Sequence, residues 1–91
     1  MLTIHRYELR MMDSQLLNMP RGALLLSVGV KGGDATESLW AAVDSEEPLV
    51  ERRVFVVGTG HSMEAAAEAE FVGTAIDYLR GLVWHVFVEA V

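Results

Sequence analysis

The sequence predicts a mainly β fold: a small antiparallel β-sandwich or partly open barrel of six or seven strands with one short helix, in a single domain over residues 1–91. Three observations predict it. Apolar and polar residues alternate in runs of strand length along most of the chain. Glycine, proline and aspartate separate these runs at short intervals. Only one stretch has helical composition, and it is short, which argues against the βαβ repeats of a parallel sheet.

The first strand is read from Thr3, His5, Tyr7 and Leu9, which alternate with Ile4, Arg6 and Glu8. Asp13 and Ser14 turn the chain into a second strand over 15–19, which Pro20 stops because it has no N–H to donate. Pro20-Arg21-Gly22 fits a type II turn, with proline at its second position and glycine supplying the positive φ. Residues 23–30 are nearly all apolar, as in a strand covered on both faces. Lys31-Gly32-Gly33-Asp34 reads as a turn, and 38–43 as the next strand. An acidic loop follows at 44–48. Over 50–57, Arg53, Phe55 and Val57 share one face and Arg52, Val54 and Val56 the other. Ser62 is placed to cap a helix over 63–70, whose alanine and glutamate favour helix although eight residues cannot hold one alone. Strands over 71–78 and 82–88 finish the chain, joined at Leu79-Arg80-Gly81.

Composition narrows the function. The net charge is −6, and it is regional: residues 1–35 carry +1 and residues 36–91 carry −7. A nucleic acid would be repelled over most of the chain, and Arg52-Arg53 would point to opposite faces of a strand. The longest apolar runs, 23–30 and 82–88, fall far short of the roughly 20 residues of a membrane-spanning helix. The opening residues read as a strand, not as a signal peptide. With no cysteine there is no thiol nucleophile and no thiolate metal site.

Few residues carry chemistry. Gly58-Thr59-Gly60-His61 exposes backbone N–H groups that can hold an anion, with Arg53 as counter-charge, yet the same glycines suit a tight exit from a strand. It lacks the lysine and spacing of a phosphate-binding loop. His5, His61 and His85 give no zinc spacing, and His85 reads as a core-edge histidine bonded to a carbonyl. No serine sits in a nucleophile elbow. Neither a metal nor a cofactor is expected, and no enzyme activity. Tyr7, Trp40, Phe55, Phe71, Tyr78, Trp84 and Phe87 read as filling one thin core; the other reading makes Trp40, Trp84, His85 and Phe87 anchors at an interface. So small and apolar a chain has too little interior, and a homodimer would cover the remainder.

Several motifs carry a resemblance: His5-Arg6-Tyr7-Glu8, Pro20-x-Gly22-Ala23, Leu39-Trp40-Ala41-x-Val43-Asp44, Arg53-x-Phe55-x-Val57-Gly58-Thr59-Gly60-His61, Phe71-Val72-Gly73-Thr74 and Leu82-Val83-Trp84-His85-Val86-Phe87. Together they resemble a family of small uncharacterised proteins encoded by bacteriophages and prophages. That resemblance implies a viral origin and a setting in the host cytoplasm. The expected function is that of a noncatalytic phage accessory protein, a homodimer that acts by binding and inhibits a host or defence protein. Its acidic segments, 44–51 and 64–70, would steer it to a basic partner. The alternatives are a sponge for an anionic ligand or nucleotide, using Arg53 and Gly58, Thr59, Gly60 and His61, and a minor virion structural protein.

Overall fold

A computed structural model describes residues 1–31 and 36–90. Seven strands form: β1 (Leu2–Leu9), β2 (Ser14–Pro20), β3 (Leu24–Lys31), β4 (Thr36–Asp44), β5 (Leu49–Gly58), β6 (Glu70–Asp77) and β7 (Leu82–Val88). They make two antiparallel sheets, ordered β1-β4-β3 and β2-β5-β7-β6, stacked as an open sandwich and not closed into a barrel. The mainly β sandwich expected from the alternation is therefore what forms. The turn expected at 31–34 lies, beyond Lys31, outside the described residues.

The period of two decides which side chains meet. Leu39, Ala41 and Val43 of β4 face Val54 of β5 and Val86 and Val88 of β7, with Leu9 and Met19 completing the buried cluster. Each fully buried side chain of this kind contributes about 1.5–3 kcal/mol. The interior is thus aliphatic, and the expectation that aromatics fill it is corrected. Tyr7 packs against the cluster and Trp84 lies on the inward face of β7, but Phe71 and Tyr78 are exposed. Valines at 54, 56, 86 and 88 occupy the inward positions, so alternation turns Phe55 and Phe87 outward.

Two bulges shape the edges. One lies between Leu25 and Ser27 in β3, the other between Phe71 and Gly73 in β6. Each inserts one residue and reverses the alternation beyond it. Leu25 and Val28 consequently both pack against the core, while Leu24 and Leu26 are exposed. This corrects the reading of 23–30 as covered on both faces. Beside the bulges β3 passes close to β6, where a Cβ on Gly73 would lie 3.1 Å from Val28 Cγ2. At the opposite edge the Gln15 amide clamps the corner, accepting from Arg10 N (3.0 Å) and donating to Arg10 O (2.8 Å).

Two local expectations change. Ala23 N donates to Pro20 O (3.2 Å) and Gly22 has φ +82°, so glycine sits third as expected but proline opens the turn at its first position. The helix expected over 63–70 is a single 3-10 turn, Glu64–Ala66, that buries only Ala66. Ser62 Oγ does accept from Glu64 N (3.3 Å). With one apolar anchor, the segment has no face on which a longer helix could dock.

Among the described residues three charges are buried, Arg52 at one end of the interior and Glu37 and Asp77 at the other. Arg52, from β5, reaches Ala23 O and Glu89 O, each at 3.5 Å. Glu37, near the start of β4, is 2% exposed, and neither carboxylate oxygen has a hydrogen-bond partner among the described residues. Burial pushes its pKa from the usual 4.5 up to about 7. The folded protein then holds this proton more tightly than the unfolded chain does. Its contribution is complete below pH 4.5 and is lost as pH rises to about 7. Urea denaturation of the wild type and Glu37→Gln should therefore agree in slope except in that window. Between pH 4 and pH 8 the wild type should lose about 3 kcal/mol relative to the variant.

Candidate functional site

The outward face of the four-stranded sheet gathers the most distinctive side chains. Phe87 in β7 stands opposite Phe55 in β5 and opposite Phe71 in β6, so three phenylalanines form a row across three strands. The Phe71 and Phe87 rings pack 5.4 Å apart at 57°. Such tilted packing brings a positive ring edge to a negative ring face. Phe71 nonetheless remains 56% exposed.

A histidine with two threonines continues the face. Thr59 Oγ1 lies 2.8 Å from His85 Nε2, and Thr74 Oγ1 lies 3.0 Å from His85 Nδ1. Both ring nitrogens are thereby occupied, and the imidazole is fixed between β6 and the end of β5. The expected bond from His85 to a backbone carbonyl is replaced by these hydroxyls, on the outside of the sheet. A hydroxyl beside an imidazole is the pairing of nucleophile and base. Here it lies on a half-open sheet face, and the third group is another neutral hydroxyl.

Carboxylates stand at the Phe55 end of the row. Glu64, Glu68 and Glu89 border a groove of about 530 Å³ that Phe55 also lines. Alanines at 65, 67, 69 and 90 keep its walls low. Arg53 Nε lies 3.7 Å from Glu89 Oε2. Both side chains are well exposed, so this pair contributes no more than about 1 kcal/mol and leaves the rim acidic.

The residues singled out in the sequence divide. Arg53, Thr59, His85 and Phe87 share this face. Gly58 is buried and points inward, and a Cβ there would lie 2.9 Å from His61 Nδ1. Gly60 takes φ +87°, and His61 N donates to Gly58 O (3.0 Å), so the loop uses an amide that an anion would need. Arg53 stands five residues before Gly58, about 16 Å along an extended strand, and is turned to Glu89. The loop and the arginine do not converge. Trp84 faces inward, beside Gly58. Trp40 lies on the other sheet's outer face, 3.5 Å from where a Cβ on Gly29 would be. The four aromatic and histidine anchors therefore occupy three different surfaces.

The sequence alone does not group Phe55 and Phe71 with the carboxylates of Glu64, Glu68 and Glu89. The signal was present in the valines on either side of Phe55 and Phe87, which claim the inward positions. A model of the family described as Domain of unknown function (DUF7352) matches residues 1–91, and the chain belongs to that family. No curated protein and no solved structure matches it.

Proposed function

We propose that this member of the DUF7352 family is a noncatalytic accessory protein that works by binding, docking a basic segment of a partner protein on the Phe55–Phe87–Phe71 row. The row and its acidic rim carry this reading. Exposed aromatic rings are effective anchors, because they bury much apolar area while losing little side-chain freedom. Lysine and arginine also gain about 0.5–1 kcal/mol each over an exposed ring face. Glu64, Glu68 and Glu89 would steer such a partner and make its arrival salt-dependent. The resemblance to phage and prophage proteins gives this partner as a host or defence protein met in the host cytoplasm.

A ten-residue peptide rich in lysine and arginine, fluorescently labelled, tests the docking. Wild type should bind it with an affinity that falls as salt is raised. Phe71→Ser and the double variant Glu64→Gln/Glu68→Gln should each weaken binding at least tenfold, whereas Glu46→Gln/Glu47→Gln should not. Equal weakening by both acidic pairs would reduce the effect to net charge and contradict the site.

The three-stranded sheet favours a second contact, with another copy of the chain. Ile4, Ala42 and Leu24 align across β1, β4 and β3, and Ile4 and Leu24 are 62% and 64% exposed. The small Ala42 between them leaves a groove of about 610 Å³, with Leu2 at one side and Arg21 and Glu47 at its border. A two-fold contact would set one copy's Leu24 over the other's Ala42. Sedimentation equilibrium should then find a dimer that Ile4→Lys converts to a monomer. A wild type that stays monomeric at millimolar concentration would contradict it.

A further inference from the structure

At the end of the sandwich away from Arg52, two cavities adjoin and share Met11, Glu37 and Arg80. The outer one, about 730 Å³, opens between the exit of β1 and β2. The inner one, about 250 Å³, has apolar walls of Met11, Val30, Leu82 and Trp84, and Asp77 and Arg80 line it too. Glu37 lines both, almost wholly buried, with neither carboxylate oxygen hydrogen-bonded among the described residues. Leaving a buried carboxylate without a partner is costly, so such a group either stays protonated or receives a donor from outside.

The neighbouring charges are already engaged or lie at the mouth. Asp77 Oδ1 accepts from Leu79 N and Arg80 N, each at 3.1 Å, and Asp77 Oδ2 lies 3.7 Å from Arg80 Nε. Arg80 is well exposed and held toward Asp77. Glu8 and Arg10 face the outer cavity from β1 and its exit. Among the described residues no three carboxylate or histidine side chains stand close enough to hold a metal ion. What remains is one carboxylate without a partner among the described residues, in a small chamber that Met11, Val30, Leu82 and Trp84 also line and where Asp77 and Arg80 engage each other. The chamber lies below the roughly 300–1,000 Å³ of ordinary ligand pockets, too small for a nucleotide.

We propose that this chamber binds a primary alkylammonium group, with the charged head on Glu37 and its apolar stem against Met11, Leu82 and Trp84. The carboxylate supplies a charge-assisted hydrogen bond in a site of low polarity. The Trp84 side chain supplies apolar surface against the stem. Entry of the cation favours the ionised carboxylate, so binding strengthens from pH 6 to pH 8. Glu8, Arg10, Asp77 and Arg80 are the other charged groups that face the two cavities.

Two-dimensional NMR of the tryptophan indole N–H groups tests the proposal, with n-butylammonium chloride as probe. The Trp84 signal should shift saturably while Trp40 stays still, and 1-butanol at the same concentration should give no saturable shift. Glu37→Gln keeps the shape of the side chain and removes its charge, and should abolish the effect with the fold intact in the same spectra. Nα-acetyl-lysine amide separates the two sources of such a group. If it also saturates the site, a partner's lysine side chain is accepted; if only butylammonium does, the ligand is a free amine, and either result supports the proposal. No saturable shift with butylammonium, or the same shift with 1-butanol or in Glu37→Gln, would overturn it. Phe71→Ser, which removes the other face's anchor, should leave this titration unchanged.

Discussion

Valines at 54, 86 and 88 on one sheet meet Leu39, Ala41 and Val43 on the other, and the remainder of the structure follows from that contact. These are small or medium side chains. They allow the two sheets to pack into a slab whose Cα extents are 38 × 31 × 16 Å. A slab so thin has no room inside for its phenylalanines. Alternation then sends Phe55, Phe71 and Phe87 to the outside, where they stand in register and become available to a partner.

The same thinness explains both ends of the interior. A longer sandwich could enclose charged side chains together with counter-charges. Here Arg52 finds only carbonyl oxygens at one end, and Glu37 finds no donor at the other. Retaining an unsatisfied carboxylate lowers stability at neutral pH, and an apolar residue of similar volume would relieve it. A group kept at such a cost, lining a cavity, is consistent with a role that depends on its charge.

Much of this was legible in the sequence. Each strand is visible in the sequence, most from alternation and 23–30 from its apolar run, and Arg53, Phe55 and Val57 do lie on the opposite face from Arg52, Val54 and Val56. The bulges were not. An inserted residue at Leu26 leaves the run 23–30 uniformly apolar, so composition alone cannot say where its faces exchange. The phenylalanines lie outside the core because valines of β5 and β7 occupy the inward positions, which the aromatic content alone does not reveal. Propensity favoured a helix at 63–70, but with Ala66 as the sole buried side chain of the turn there was nothing to hold one. Glu37 escaped notice for a related reason: in a run from Thr36 to Ser38 it looks like surface, and only the register against Leu9 and Val30 turns it inward.

The three central strands build an aliphatic interior, with the phenylalanines outside it and the buried charges at its ends. Amide hydrogen exchange measures that directly, because protection tracks the opening of each element. The slowest amides should belong to β4, β5 and β7, exchanging only through global unfolding, with β1, β2, β3 and β6 faster and residues 64–69 fastest. Protection of 64–69 equal to that of β4, or a β4 that exchanges as readily as the edge strands, would contradict it.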